Sequence, residues 1–147
     1  GIDMMRSKKG EHNSYNSPDE INRIDWTSKA AYHDVFVYHQ GLIRLRKAHP
    51  AFRMTLAEDI RRNLEFISTP EHMIAFTLSH NANNDPWKTI FVVFNAGTAS
   101  ETVYLPRRSL WNVVADENRA GTETLYGITD STAAVAPRSA LVLYSND

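Results

Sequence analysis

The residues of this chain that could do chemistry are concentrated near its beginning, between Asn13 and Trp26. This segment combines amides, hydroxyls, carboxylates and two aromatic rings, and its apolar residues have neither the helical nor the strand period. Ordering a long polar loop costs conformational entropy, and proteins usually keep such loops for binding or catalysis. The segment is therefore interpreted as a functional loop that the neighbouring elements must position.

Metal-ligating residue types are present, but they lack the spacing of a metal centre. The six histidines do not form a ligand pair on one element, and the absence of cysteine excludes thiolate sites and disulfides. Residues 81–85 offer oxygen ligands for calcium, yet they lack the glycine and the terminal glutamate of a calcium-binding loop. A polar hairpin tip is the favoured interpretation, and no metal site is expected in this chain.

A long amphipathic helix is predicted to follow the loop, over residues 28–49. Ser28 can cap its start, and Pro50 forces the preceding residue out of the helical region. The apolar side chains that recur at helical spacing are Val35, Tyr38, Leu42 and Leu45. A single helix cannot bury such a stripe by itself, so it must pack against another element.

After residue 55 the apolar period changes from that of a helix to that of strands, with one short helical turn expected over 56–62. The strands are expected at 63–67, 72–78, 89–95, 101–105, 110–115 and 140–144, with weaker candidates at 122–125 and 132–135. Short strands at this spacing predict an antiparallel β-sandwich with Greek-key connections. The domain boundary is placed between residues 54 and 55.

Composition limits the classes of function. With 42% hydrophobic residues the chain can form a real core, whereas its net charge of −1 provides no basic surplus for binding nucleic acid. No apolar run approaches the roughly 18 residues of a membrane span. The first ten residues do not have the order of a signal peptide, so any targeting information is expected elsewhere. A secreted and a cytoplasmic location both stay open.

Three parts of the sequence resemble type I pullulanases, which are glycoside hydrolases of the α-amylase superfamily. Residues 1–8, 13–19 and 22–26 are similar to the segment that follows the eighth barrel strand of these bacterial enzymes. Residues 34–53 are similar to their eighth barrel helix, and residues 137–143 to the closing strand of their C-terminal β domain. The resemblance implies an α+β fragment, with 1–54 as the last loop and helix of a (β/α)8 barrel and 55–147 as an antiparallel β-sandwich C-terminal domain.

The resemblance also implies an activity for the parent enzyme. Pullulanases hydrolyse α-1,6 linkages in pullulan and starch with two aspartates and a glutamate, which lie on barrel strands upstream of the matching segment. The chain is therefore expected to contain no catalytic residue and to be inactive alone. Its loop carboxylates are interpreted as solvated or turn-forming groups: Asp3, Glu11, Asp19, Glu20 and Asp25. No cofactor is expected, although calcium is possible in the parent, and the expected partners are the rest of the barrel and an α-glucan.

In a barrel enzyme the loop after the eighth strand lies on the catalytic face. Amide and carboxylate groups hold sugar hydroxyls, and an aromatic ring covers the apolar face of a sugar. The substrate-binding candidates are therefore Asn13, Tyr15, Asn16 and Asp19, with Arg6 as the support of a nearby carboxylate. A purely structural role stays open for the loop, and it is the favoured one for Arg6 and Asp19.

Two rival functions also stay open. The β domain could be a non-catalytic glucan-binding module, for which Trp87 beside Pro86 would be the exposed aromatic platform. It could instead be a structural appendage without affinity for glucan. Trp26 is interpreted as a packing anchor at the start of the helix, and Trp111 as part of the core.

Overall fold

Eight β-strands follow the long helix, and the computed structural model describes all residues from Gly1 to Asp147. The strands are β1 Leu64–Ile67, β2 Met73–Leu78, β3 Thr89–Asn95, β4 Glu101–Tyr104, β5 Trp111–Ala115, β6 Tyr126–Ile128, β7 Thr132–Val135 and β8 Ser139–Ser145. Six of them form one sheet in the order β1-β2-β3-β8-β5-β6, and β4 pairs with β7 in a second sheet. Every pairing is antiparallel, so the predicted antiparallel sandwich is confirmed.

The strand predictions hold best where the apolar pattern is strong. β3 has the predicted bounds, because both of its faces are apolar and almost every residue is buried. The weak candidate at 132–135 is β7, as predicted. The candidate at 122–125 is wrong, since the strand lies at Tyr126–Ile128. Its position is set by pairing with Trp111 to Val113 of β5, which the local sequence does not reveal.

The helices are α1 Asp19–Asn22, α2 Ser28–Ala31, α3 His33–Ala48 and α4 Ala57–Asn63, with 3₁₀ turns at Ile2–Met4, Pro50–Arg53 and Ala82–Asn84. The single helix predicted over 28–49 is interrupted at Tyr32, which has φ −116° and ψ 44°. It ends before Pro50 as predicted, because His49 is extended. None of the helices combines the length and the apolar character needed to cross a membrane.

The chain divides into two compact units, residues 1–40 and 41–147. The second unit begins within α3, so the second half of this helix belongs with the sandwich. Leu45 explains why, since it is buried in a cluster with Leu78, Ile90 and Val142 of the six-stranded sheet. The boundary predicted at residue 54 refers to the parent barrel and stays a prediction.

The main core fills the space between the two sheets. Its buried members are Met73, Ala75, Phe91, Val93, Val103, Leu105, Trp111, Val113, Ala133, Val135, Leu141 and Leu143. Trp111 is fully buried, as predicted, and its indole N–H donates to the carbonyl oxygen of Arg107 at 3.1 Å. The ring of Phe91 meets it edge-on with 6.1 Å between centroids, which is a favoured aromatic geometry.

Gly41 allows α3 to approach the main chain of the sandwich within the second unit, residues 41–147, which we call the β unit. A Cβ atom at this position would lie 1.8 Å from the carbonyl oxygen of Ala120, in the β5–β6 connection. Glycine inside a helix costs roughly 1 kcal/mol relative to alanine. The close contact explains why a glycine occupies this helical position.

A buried carboxylate joins the end of α3 to the connection between β2 and β3. Asp85 Oδ1 accepts a hydrogen bond from the Trp87 amide at 2.9 Å and lies 3.0 Å from His49 Nδ1. Its Oδ2 accepts a hydrogen bond from the Ala51 amide at 3.1 Å. The His49 ring stacks on Trp87 with 3.3 Å between centroids, and Trp87 stacks on Tyr144 at 4.0 Å. We call Asp85 with its three hydrogen-bonding partners the Asp85 clamp.

A buried amide has a similar role at the opposite end of β3. The side-chain nitrogen of Asn95 donates to the carbonyl oxygens of Ala99, Val135 and Ala136 at 2.9, 3.2 and 3.0 Å. Its Oδ1 accepts a hydrogen bond from the Gly97 amide at 2.8 Å. One side chain thereby connects the β3–β4 turn to the end of β7.

Replacing Gly41 by alanine is expected to destabilise the chain, although alanine favours helices. The added methyl group must displace the backbone at Ala120, and overpacking of this kind costs about 1–3 kcal/mol. We expect the free energy of unfolding in urea to fall by about 2 kcal/mol. Gly121→Ala is the matched control, because no heavy atom lies within 4 Å of its Cβ position. Equal losses in the two variants would contradict the proposed contact.

Replacing Asp85 by alanine is expected to have a larger effect. The change leaves the amides of Ala51 and Trp87 and the imidazole of His49 without their buried partner, and each unsatisfied group costs about 1–3 kcal/mol. Thermal and urea unfolding should show a loss of at least about 3 kcal/mol. The exposed carboxylate control, Asp130→Ala, should change stability by less than about 0.5 kcal/mol. A loss below about 1 kcal/mol for Asp85→Ala would show that the clamp is dispensable.

Candidate functional site

The polar loop of the first unit is held by one amide side chain, that of Asn22. Its Nδ2 donates to the carbonyl oxygens of Ser14 and Ser17, each at 2.7 Å. Its Oδ1 accepts a hydrogen bond from Lys8 Nζ at 3.1 Å, and its carbonyl oxygen accepts one from the guanidinium of Arg6. We call these four hydrogen bonds the Asn22 clamp. They join Ser14 and Ser17 to Asn22, and they join Asn22 to Arg6 and Lys8, which precede the turn.

The residues between Ser14 and Ser17 form a turn that the backbone closes. The Ser17 amide donates to the carbonyl oxygen of Ser14 at 3.1 Å, which places Tyr15 and Asn16 at the two central positions. Pro18 lies immediately before α1, and its carbonyl oxygen accepts the amides of Ile21 and Asn22. The two candidate side chains therefore lie at the tip of a turn fixed by hydrogen bonds at its base.

The structure leaves four of the five predicted site residues exposed. Asn13, Asn16 and Asp19 are exposed, and Tyr15 is 87% exposed. The side chains of these four residues make no hydrogen bond within the chain. They are therefore free to hydrogen-bond or stack on a ligand, whereas the residues that hold the loop already have partners.

Arg6 lies at the base of the loop, apart from the exposed set. Its guanidinium donates to the carbonyl oxygen of Asn22 and lies beside no carboxylate of this chain, while its Nε is buried without a partner. The contact is of the structural kind that the sequence favoured for this residue. Arg6 therefore stabilises the base of the loop through its contact with the main chain of Asn22.

Asp25 is an example of a loop carboxylate with a turn-forming role. The Thr27 hydroxyl and the Thr27 amide donate to Asp25 Oδ1 at 2.6 and 3.0 Å, immediately before α2. These two hydrogen bonds, the hydroxyl first, hold the pKa of Asp25 below its ordinary value. A general acid in a glycosidase needs a raised pKa, so Asp25 is unsuited to that role.

Two tryptophans differ from their predicted roles. Trp26 is 67% exposed, so the prediction of a packing anchor is wrong for this chain. Trp87 is only 8% exposed, because the His49 and Tyr144 rings stack on it, and it cannot be the exposed platform of a glucan-binding module. Trp87 is covered by His49 and Tyr144, which lie far from it in the sequence. The residues next to Trp87 therefore could not predict its burial.

The segment with possible calcium ligands is a polar connection whose only carboxylate faces inward. Both oxygens of Asp85 are occupied within the Asp85 clamp, and the Asn83 side chain donates to the carbonyl oxygen of Pro50 at 2.9 Å. No group of three or more histidine, cysteine, aspartate or glutamate side chains is arranged to hold a metal ion.

The residues that hold the loop were missed by the sequence analysis. Asn22 and Lys8 are ordinary polar residues by type, and their roles arise from contacts across 14 positions of the chain. The one available signal is chemical, because a primary amide can donate and accept at once. Each of the three asparagines of the loop is by this criterion a candidate, and the contacts of the structure single out Asn22.

Comparison with known proteins supports the architecture. Residues 60–119 match the domain described as "Pullulanase, all-beta domain". The pullulanase of Bacillus subtilis (strain 168) is 40% identical over 116 residues, which are 79% of this chain and 16% of that protein.

Solved structures match over a longer part of the chain. Pullulanase from Bacillus acidopullulyticus has a TM-score of 0.92 and 40% identity, covering 99% of this chain and 18% of its own. Type I pullulanase from Bacillus subtilis str. 168, complexed with maltose, has a TM-score of 0.88 and 36% identity, covering 99% of this chain and 20% of its own. The chain thus spans a fifth or less of each of these proteins. The chain is thus similar to pullulanases over nearly its whole length, and residues 60–119 match their all-β domain.

Proposed function

We propose that this chain is the carboxy-terminal part of a pullulanase-type debranching enzyme that hydrolyses α-1,6-glucosidic linkages in pullulan, starch or glycogen. The observation that carries the proposal is the match to a pullulanase over 99% of this chain at 40% identity and a TM-score of 0.92. Because the chain covers 18% of that protein, the activity is assigned to a parent enzyme.

In this proposal the chain supplies no catalytic carboxylate. A retaining glycosidase needs two carboxyl groups about 5–5.5 Å apart, one of them with a raised pKa. The loop carboxylates Asp19, Glu20 and Asp25 are exposed, and the pKa of Asp25 is lowered. Hydrolysis therefore belongs to the upstream barrel, and the isolated chain is inactive.

The loop contributes to substrate binding through preorganisation. The Asn22 clamp holds the turn in one conformation before any ligand arrives, so binding does not have to order it. Tyr15 can cover the apolar face of a glucosyl ring, and Asn13 and Asn16 can bind its hydroxyls. The maltose in the Bacillus subtilis pullulanase structure supports an α-glucan as the ligand class.

Exposed apolar side chains of α3 support the presence of a barrel beside it. Leu45 is buried against the sheet, but Ile43 is 60% exposed, and Val37 and Leu42 are also exposed. Apolar residues concentrated on one helix favour an interface with another part of a protein. In the parent enzyme these side chains would pack against the barrel wall, which the resemblance of α3 to the eighth barrel helix also implies.

The proposal is tested by pullulan hydrolysis with the full-length protein that contains this chain. We expect release of reducing sugar by the full-length protein and none by residues 1–147 alone. Activity of the isolated chain would overturn the assignment of catalysis to the barrel. Absence of pullulan hydrolysis by the full-length protein would overturn the proposed activity.

Tyr15→Ala in the full-length protein is expected to reduce kcat/KM on pullulan about two- to ten-fold, as the loss of one aromatic contact implies. The melting temperature should stay unchanged, because Tyr15 is 87% exposed. Tyr104→Ala is the matched control, since Tyr104 is 79% exposed on β4 of the sandwich. Unchanged kinetics for Tyr15→Ala would remove the loop contact from the proposal.

Asn22→Ala is expected to release the turn without unfolding the sandwich. The variant lacks the side-chain hydrogen bonds to Ser14, Ser17 and Lys8, each worth about 1 kcal/mol. Amide hydrogen exchange of residues 14–17 should accelerate at least ten-fold, while exchange in β3 stays the same. Asn16→Ala, which removes an exposed amide from the same loop, is the control. Equal exchange in the two variants would show that Asn22 does not hold the turn.

A further inference from the structure

A polar pocket of about 240 Å³ lies in the β unit, between α4 and the β2–β3 connection. Its polar lining includes Asp59, Arg62 and Asn63 from the helix and His80, Asn83 and Asn84 from the connection. Neither the polar loop nor the exposed apolar side chains of α3 contribute to this pocket. Its walls and its chemistry nevertheless have the properties of a small binding site.

The walls of the pocket are fixed by hydrogen bonds behind the lining. The Asn63 side chain donates to the carbonyl oxygen of Asp59 at 2.8 Å, and the Asn83 side chain donates to that of Pro50 at 2.9 Å. The Asn81 side chain donates to the carbonyl oxygen of Asp85 at 3.0 Å. Since Asp85 is itself buried and clamped, the β2–β3 connection is tied to the core.

The backbone of this connection has an unusual conformation. His80, Asn81, Asn83 and Asn84 have φ values of 60°, 51°, 54° and 60°. Asparagine tolerates the left-handed region better than most residues, although glycine adopts it more readily still. This conformation curves the connection around the pocket. The side-chain hydrogen bonds of Asn81 and Asn83 hold the connection in place.

Four lining side chains have hydrogen-bonding groups that the protein does not use. The carboxylate of Asp59, the guanidinium of Arg62, the imidazole of His80 and the amide of Asn84 have no partner in the chain. Asp59 and Arg62 are one helical turn apart on α4, yet they form no ion pair. The pocket therefore presents both donors and acceptors to solvent.

The chemistry of the lining selects the class of ligand. An anion would meet the Asp59 carboxylate and a cation the Arg62 guanidinium, whereas a neutral polyol can donate to the first and accept from the second. The pocket is smaller than the roughly 300–1,000 Å³ of sites for drug-sized ligands, which suits one sugar ring. No phenylalanine, tyrosine or tryptophan lines it, so hydrogen bonds must provide most of the affinity.

We propose that this pocket binds a single glucosyl unit of an α-glucan, as a second carbohydrate contact separate from the loop of residues 13–19. The identity of the sugar rests on the proposed function, while the site itself rests on the geometry of the pocket. A weak extra contact of this kind increases the local concentration of a polymeric substrate through multivalency.

The test is an NMR titration of the complete 147-residue chain with maltotriose, followed through backbone amide shifts. We expect saturable shifts at residues 62–63 and 80–84, with a dissociation constant of about 1–10 mM. Arg62→Ala should weaken binding at these residues at least five-fold. Arg61→Ala is the matched control, because Arg61 is an exposed neighbour on α4 that does not line the pocket.

The outcomes separate the pocket from the loop. Saturable shifts at residues 13–19 alone would overturn the pocket proposal and support the loop, whereas Tyr15→Ala should leave the shifts at 80–84 unchanged. Shifts at 80–84 produced by inorganic phosphate or calcium, and not by maltotriose, would overturn the sugar assignment. Equal weakening by Arg61→Ala and Arg62→Ala would show that general charge, and not the pocket, causes the binding.

Discussion

The buried carboxylate of Asp85 is the constraint on which much of the β unit depends. A carboxylate without exposure to water is strongly unfavourable unless hydrogen bonds satisfy its oxygens. Those hydrogen bonds come from the residue after α3, from the following 3₁₀ turn and from Trp87 at the end of the β2–β3 connection. The end of the long helix, the stacking of Trp87 and the shape of the β2–β3 connection are thereby set by one side chain.

Short polar side chains have the same role elsewhere in the chain. Asn22 organises the polar loop, Asp85 joins the helix end to the sheet, and Asn95 joins two turns of the sandwich. In each case one short polar side chain satisfies main-chain groups that regular secondary structure leaves without partners. Binding surfaces can then consist of irregular backbone, because the side chains that fix it are distinct from those that face solvent.

Strong local signals predicted much of the fold. The apolar run of β3 and the stop at Pro50 depend on neighbouring residues, and both agree with the structure. The late start of β6 and the burial of Trp87 depend on distant partners, so the local pattern did not reveal them. The interruption of the helix at Tyr32 was not predicted either. At the candidate site, residue type identified the exposed side chains, whereas the roles of Asn22 and Lys8 required three-dimensional contacts.

The strand order has a consequence for the behaviour of the chain at high concentration. The two edges of the large sheet are β1, which carries Glu65 in its middle, and β6, which has three residues with Gly127 at its centre. Short or charged edge strands are poor templates for pairing with another molecule. The large sheet is thereby protected against edge-to-edge aggregation, even though its outer face and the long helix expose apolar side chains.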